Sequence, residues 1–119
     1  MIKDTKKLID EIVQNGGATL NNELENANLN GGYMVSMVGH ETIISLEDLK
    51  DYKQVEKTLI EYKKLARKNK AFIGAWINNN KLYLDLSKNY KRLGNAMKIG
   101  KKNNQLAIFD INNLEEIML

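Results

Sequence analysis

The stretch that decides the fold runs from residue 71 to residue 87 and reads AFIGAWINNNKLYLDLS. Two runs rich in aliphatic and aromatic side chains, 71–77 and 81–87, flank three consecutive asparagines at 78–80. Asparagine tolerates the left-handed backbone conformations that a tight hairpin turn requires. The stretch therefore predicts a β-hairpin in the C-terminal half of the chain.

The residues that follow the hairpin predict one helix and two further strands. Leu93, Ala96 and Met97 recur at helical spacing and predict a helix from about residue 90 to residue 102. The segment 105–110 then predicts a strand, and a turn leads into a last short strand over 114–118.

The residues that precede the hairpin predict the longest helix of the chain. From Leu49 to Leu65, apolar side chains keep to one face at steps of three and four, which predicts a helix over 46–69. Ser45, with Asp48 three residues later, is typical of a helix N-terminus. The basic residues near position 69 suit the negative end of the helix dipole.

The N-terminal segment predicts a short helix and three strands. The helix covers residues 3–15 and stops at two glycines. Strands are predicted over 17–20, 33–38 and 41–46, with a turn at Gly39 between the last two.

Mixed helices and strands without a regular βαβ repeat favour an α+β fold with a mostly antiparallel sheet, one long central helix and two shorter helices. We expect a single domain over 1–119. It consists of an N-terminal helix and strands (1–46), the long helix (46–69) and a hairpin–helix–strand unit (71–119).

The composition excludes several classes of function. The 119 residues include 18 basic and 15 acidic side chains, no cysteine and one histidine, His40. Disulfides and thiolate metal sites are therefore excluded, and we expect neither a metal nor a cofactor. No apolar run approaches the ~20 residues of a membrane span, and the N-terminus does not resemble a secretory signal. We expect a protein of the cell interior that has no membrane partner.

Catalytic chemistry finds few suitable residues. Ser36 and His40 lie on the same face of one predicted strand but about 13 Å apart, too far for a hydrogen bond. Asp85 and Asp110 each end a predicted strand, where they could hold a metal together, although turn or cap acceptors are the favoured interpretation. We therefore expect a protein that is not an enzyme.

Phosphate binding has more support. The chain lacks the glycine-rich nucleotide motifs, so an anion site would use side chains or a helix N-terminus. Aromatic rings and amides could hold a purine, and cations could hold its phosphates, although each such residue taken alone is more often a core, capping or solvated side chain. The predicted ligand-binding residues are Trp76, Asn89, Arg92, Asn104, Gln105, Lys64 and Arg67.

Several segments also resemble a family of small phage proteins. They are residues 16–20 and 32–36 near the N-terminus, Gly74-Ala75-Trp76, the run 82–89, then Ala96, Gly100 and the run 104–110. In this pattern a strand carries an aspartate and a serine, a helix follows, and asparagine-glutamine precedes a strand that ends in aspartate. The pattern is similar to that of the first Thoeris anti-defence family and covers both ends of the chain but not the middle helix.

The resemblance implies a sponge for an immune signal. Members of that family bind a cyclic ADP-ribose isomer made by host TIR-domain enzymes and do not cleave it, and some also hold cyclic oligonucleotides. The resemblance further implies a homo-oligomer, a hexamer built from dimers, with pockets between subunits, in the cytoplasm of the infected bacterium. Apolar strand residues that we expect to be exposed, namely Met34, Met37 and Ile44, also favour an oligomer.

Three other functions remain open from the residues alone. One is a protein-binding inhibitor of a defence nuclease such as a CRISPR effector. A second is a nucleic-acid binder, which is disfavoured because the basic residues form no continuous stripe. The third is an enzyme that degrades the signal with Asp85, Asp110 and a metal.

Overall fold

The computed structural model describes residues 5–119 and has the expected α+β architecture, with three helices and one curled six-stranded antiparallel sheet. The helices are α1 (Thr5–Asn15), α2 (Tyr52–Asn69) and α3 (Leu93–Lys102). The strands are β1 (Gly17–Leu20), β2 (Tyr33–Ser45), β3 (Phe72–Asn78), β4 (Lys81–Tyr90), β5 (Ala107–Asp110) and β6 (Glu115–Met118).

The predicted hairpin forms the centre of the sheet. Strands β3 and β4 pair from Phe72 opposite Ser87 to Asn78 opposite Lys81. The turn residues Asn79 and Asn80 have φ values of 50° and 60°, the left-handed values that favour asparagine. The hairpin brings the two strands together locally, and the remaining strands add on either side in the order β1-β3-β4-β2-β5-β6.

Strand β2 corrects one prediction. The sequence suggested two strands separated by a turn at Gly39, whereas the structure has one 13-residue strand with an irregularity between Ser36 and Glu41. Ser36 pairs with Ser87 and Glu41 pairs with Asp85, so five steps along β2 match two steps along β4. Gly39, with a φ of 84°, supplies the positive dihedral inside this bulge.

Helix boundaries also differ from those expected. The segment before α2 forms a separate 3-10 turn over Asp48–Lys50, and α2 begins at Tyr52 after Asp51 accepts a hydrogen bond from the Gln54 amide. Ser45 accepts from the Asp48 amide at 3.1 Å, so it caps the turn rather than α2. Helix α3 begins at Leu93, three residues later than expected. The expected start of α1, at residues 3 and 4, lies outside the described residues.

All three helices pack on one face of the sheet. Leu82, Leu84 and Leu86 of β4 point toward α1 and α2, where they join the main core. A second cluster joins Ala96 of α3 to Val35 and other apolar side chains of the sheet. Because Val35 pairs with Lys88, and alternate residues share a face, α3 lies on the same side as α2. The long helix thus covers one face of the sheet rather than the centre of the molecule.

Candidate functional site

The opposite side of the sheet, which we name the helix-free face, carries the most notable group of side chains. Alternation along the hairpin directs Trp76 of β3 and Tyr83 and Asp85 of β4 to this face, with Gly74 of β3 between them. Ser36 of β2 joins them by hydrogen bonding to Asp85. These five residues form the candidate site.

Trp76 and Tyr83 form an aromatic pair. They are register partners, and their ring centroids lie 4.5 Å apart with an angle of 15° between the ring planes. This geometry is a stacked arrangement, which stabilises aromatic pairs beyond the area that they bury. Trp76 keeps 41% of its surface exposed, which is unusual for the largest apolar side chain of a small domain. The pair therefore presents a rigid aromatic surface to solvent.

Asp85 is a half-buried carboxylate next to this pair. Ser36 Oγ donates a hydrogen bond of 3.1 Å to Asp85 Oδ2, and the Gly74 amide also donates to the carboxylate. Burial raises the pKa of the Asp85 carboxyl above its ordinary value, and the nearby Glu41 charge raises it further, whereas the two hydrogen bonds act in the opposite direction. Asp85 is thus a polarisable acceptor in a partly dry setting.

Gly74 explains how the carboxylate fits against the sheet. Its register partner on β4 is Asp85, whose side chain folds across the strand so that Oδ1 occupies the position where a Cβ of residue 74 would lie. A side chain on residue 74 would displace the carboxylate. The glycine is required here for close approach and not for backbone dihedrals, since its φ is not positive.

Two further contacts hold the surroundings of the site. Asn103, just after α3, donates from Nδ2 to the Ser36 carbonyl at 3.2 Å and fixes β2 where the bulge begins. On the helical side, Thr42 Oγ1 and Tyr62 Oη lie 2.8 Å apart, and Tyr62 also donates to the Leu84 carbonyl. The two strand neighbours of Asp85 are therefore fixed from both faces of the sheet.

Of the predicted ligand residues, Lys64 and Arg67 lie on the other side of the sheet. Both are exposed on α2, whose buried side chains Leu59, Tyr62 and Ala66 face the sheet. The sheet therefore separates these two cations from Trp76. A single subunit does not bring them together in one pocket.

Asn89 and Arg92 lie near the far end of β4. Tyr83, the partner of Trp76, is seven residues from the end of the strand at Tyr90, which corresponds to about 23 Å. Asn89 Nδ2 donates to the Gly31 carbonyl at 3.0 Å, so it ties the long 21–32 loop to the sheet and does not cap α3. Arg92 is exposed at the N-cap of α3 and makes no side-chain capping bond.

Asn104 and Gln105 follow α3 at its opposite end. Asn104 has a φ of 57° and ends the helix, as its sequence position suggested. Gln105 is half-buried and donates from Nε2 to the Asn103 carbonyl at 3.4 Å. Through Asn103 and Ser36 these residues approach the Asp85 side of the candidate site.

The two aspartates considered for catalysis lie in different settings. Asp85 sits in the middle of β4 rather than at a strand end, because the strand continues to Tyr90. Asp110 accepts hydrogen bonds from the Asn112 and Asn113 amides and from Asn113 Nδ2, and these bonds lower the pKa of its carboxyl. It acts as a turn acceptor between β5 and β6. Within residues 5–119 no group of three or more metal-binding side chains occurs.

Sequence reasoning missed Gly74 and Lys81. Lys81 is exposed and lies two residues before Tyr83 on the same face, so it places a cation beside the aromatic pair. Its neighbours gave a signal that could have been used, because 81, 83 and 85 alternate with three buried leucines. Gly74 could be recognised as part of the site only once its register partner was known.

The apolar residues that suggested an oligomer are not the exposed ones. Met34 is buried, and Met37 and Ile44 pack against the main core. Exposed apolar side chains occur instead at the C-terminal end of the sheet, which we name the C-terminal apolar surface. Its members, with their exposed fractions, are Leu106 (80%), Leu114 (75%), Met118 (68%) and Phe109 (36%).

An open groove of about 310 Å³ lies between α1 and the segment before α2. Ile9, Val13, Leu49 and Tyr52 are among the residues that line it, and none of the predicted ligand-binding residues does. The groove is therefore separate from the helix-free face.

Comparisons with known proteins add no relative. A scan against protein-family models and searches of curated proteins and of solved structures find no match to this chain. Within the described residues no helix is both long and apolar enough to cross a membrane.

Proposed function

We propose that this protein is a phage anti-defence protein that binds a cyclic ADP-ribose-type signalling nucleotide and holds it without cleaving it. The observation that carries this proposal is the Trp76–Tyr83 pair, which offers an exposed ring face on the helix-free side of the sheet. Purine bases stack on such rings with a gain of about 1–3 kcal/mol. The sequence resemblance to the Thoeris anti-defence family supplies the identity of the signal and the location in the cytoplasm of the infected host.

The charged residues around the pair agree with a ligand that has a base and phosphates. Lys81 lies on one side of Tyr83 along β4 and Asp85 lies on the other. A cation suits a phosphate, and a carboxylate suits the amino edge of a base. Non-catalytic binding also agrees with the engagement of Asp110 in its turn.

We further propose that the working form is a homo-oligomer in which two subunits complete each pocket. Arg92 and Asn89 lie about 20 Å or more along β4 from the aromatic pair, so one bound nucleotide reaches both groups only if a second copy supplies one of them. The C-terminal apolar surface supports association between copies, because exposed apolar patches commonly mark interfaces. Hexameric assembly follows from the resemblance alone.

Recovery of the ligand tests sequestration. Protein is incubated with the product of a TIR-domain enzyme, separated from free ligand, heated, and the supernatant is analysed by mass spectrometry. Intact cyclic nucleotide in a stoichiometric amount is the expected result. Ring-opened product would show an enzyme, and no retained nucleotide would remove the proposal.

Two substitutions test the shared pocket. Loss of a cation that contacts phosphate should weaken binding about ten- to a hundredfold, since charge-assisted hydrogen bonds contribute roughly 1.5–3 kcal/mol. We expect this loss in both Lys81→Ala and Arg92→Ala, measured by calorimetry, with Lys64→Ala on the far side of the sheet as the matched control. Wild-type affinity in Arg92→Ala would confine the pocket to one subunit.

A protein-binding inhibitor of a defence nuclease is the second candidate. It is favoured by the C-terminal apolar surface, whose exposed leucines also suit a protein partner. Inhibition of the nuclease by a chain that binds no nucleotide would select this function.

A further inference from the structure

One ring face of Trp76 is open. Tyr83 covers the face on the β4 side, since the two rings stack at a centroid distance of 4.5 Å. On the β1 side the register partner of Trp76 is Gly17, which has no side chain to cover the indole. A planar group can therefore approach the second face of the ring.

Asp85 lies next to that open face. Its carboxylate reaches across to Gly74 on β3, two residues from Trp76 on the same side of the sheet, or about 7 Å along the strand. A carboxylate has about four acceptor positions. Ser36 Oγ and the Gly74 amide occupy two of them, so two remain for donors from a ligand.

The pairing of a free ring face with free carboxylate acceptors selects a particular chemistry. A planar ligand stacked on Trp76 with its edge toward Asp85 must present N–H donors on that edge. The 6-amino group of adenine does so, whereas hypoxanthine presents a carbonyl oxygen that the carboxylate repels. The partial burial of Asp85 strengthens this discrimination, because an unpaired acceptor is costly where water is scarce.

We propose that Trp76 and Asp85 form a base subsite that recognises a purine by its amino group. The base stacks on the open face of the indole, and Asp85 accepts a hydrogen bond from the exocyclic amine. This inference rests on the proposed nucleotide-binding function and defines which part of the ligand the helix-free face reads. Lys81 then lies on the side where the phosphates emerge.

The only tryptophan of the chain is Trp76, so intrinsic fluorescence reports directly on this subsite. Full-length protein is titrated with AMP and, separately, with IMP, which differs at the amino group. AMP should quench the emission and bind about 10- to 100-fold more tightly than IMP. Equal affinities for the two nucleotides would overturn the proposal.

The variant Asp85→Asn turns the test into a reversal of preference. Its amide can donate to the carbonyl of hypoxanthine, so the ratio of AMP to IMP affinity should fall about tenfold or more, and IMP binding should improve. A variant that is merely less stable lowers both affinities together and leaves the ratio unchanged, which would contradict the proposal. Asp10→Asn, an exposed acid on α1, removes the same charge and should leave the ratio at its wild-type value.

Calorimetry with cyclic ADP-ribose separates this inference from the proposed function. Heat of binding without a change in Trp76 emission, together with equal AMP and IMP affinities, would remove the base subsite and leave sequestration standing. Discrimination between AMP and IMP without cyclic ADP-ribose binding would support the subsite and show that the signal is another nucleotide. No binding of any of the three would overturn both.

Discussion

Replacement of Gly74 by alanine tests the geometry of the candidate site more directly than any other single change. Glycine in a strand is less stable than alanine by about 0.5–1 kcal/mol, so on backbone grounds alone Gly74→Ala should stabilise the protein. The added Cβ, however, would fall on Asp85 Oδ1 and within 3.2 Å of its Cγ. The carboxylate must then move away from the strand.

The cost of that movement outweighs the gain from the backbone. Displacement breaks the bond from Ser36 Oγ, and hydrogen bonds to charged groups contribute roughly 1.5–3 kcal/mol when they are well shielded. Since Asp85 is only half-buried and its carboxylate gains hydration on leaving, we discount the loss. We expect Gly74→Ala to lower the free energy of unfolding by about 1–2 kcal/mol, measured by urea denaturation with circular dichroism.

A double-mutant cycle supplies the control. In an Asp85→Ala background the obstructing oxygen is gone, so the same Gly74→Ala change should raise the free energy of unfolding by about 0.5–1 kcal/mol. The change of sign corresponds to a coupling of about 2 kcal/mol, within the range found for residues in contact. A stabilising Gly74→Ala in the wild-type background would show that the carboxylate does not lie over residue 74, and the proposed base subsite would lose its acceptor.

Two further predictions concern stability. Gly94→Ala should stabilise α3 by up to about 1 kcal/mol because a Cβ there meets nothing within 4 Å, whereas Gly100→Ala should lose that gain against Leu119 and Ile108; equal melting shifts would refute this packing. Because the folded pKa of Asp85 is raised, the native state binds its proton more tightly than the unfolded state. Stability from this group therefore falls as pH rises from about 3.8 through the folded pKa, and the wild-type excess over Asp85→Asn should shrink over that range; a constant difference would contradict the burial of the carboxylate.

Periodicity and turn chemistry predicted most of the fold. The asparagines at 78–80 marked the hairpin, and the apolar stripe of α2 marked the long helix, because both signals are local. The bulge in β2 was not predicted, since Gly39 signals a positive φ equally well in a turn and in a bulge. Only pairing with β4 decides between the two.

The candidate site was harder to predict, because it depends on register. Trp76 was identified as a stacking residue from its type, and its ligand role stays a prediction. Its contact with Tyr83 and the approach of Asp85 to Gly74 follow from pairings across the hairpin. The exposed apolar residues were misplaced for a similar reason. Met34 alternates like a surface residue but is buried, with its sulfur 3.3 Å from Asn89 Nδ2 on the neighbouring strand.

The distribution of charge links the proposed ligand to the proposed assembly. Around Trp76 a single subunit offers Asp85, Glu41 and the cation Lys81, a balance that suits a base and at most one phosphate. A cyclic ADP-ribose carries two phosphates, and the remaining basic side chains lie on α2 or at the ends of α3. Tight sequestration therefore requires that a second copy bring its cations to the helix-free face. Affinity for the signal should accordingly fall when the protein is diluted below its association constant, whereas affinity for AMP, which the single-subunit subsite holds, should not.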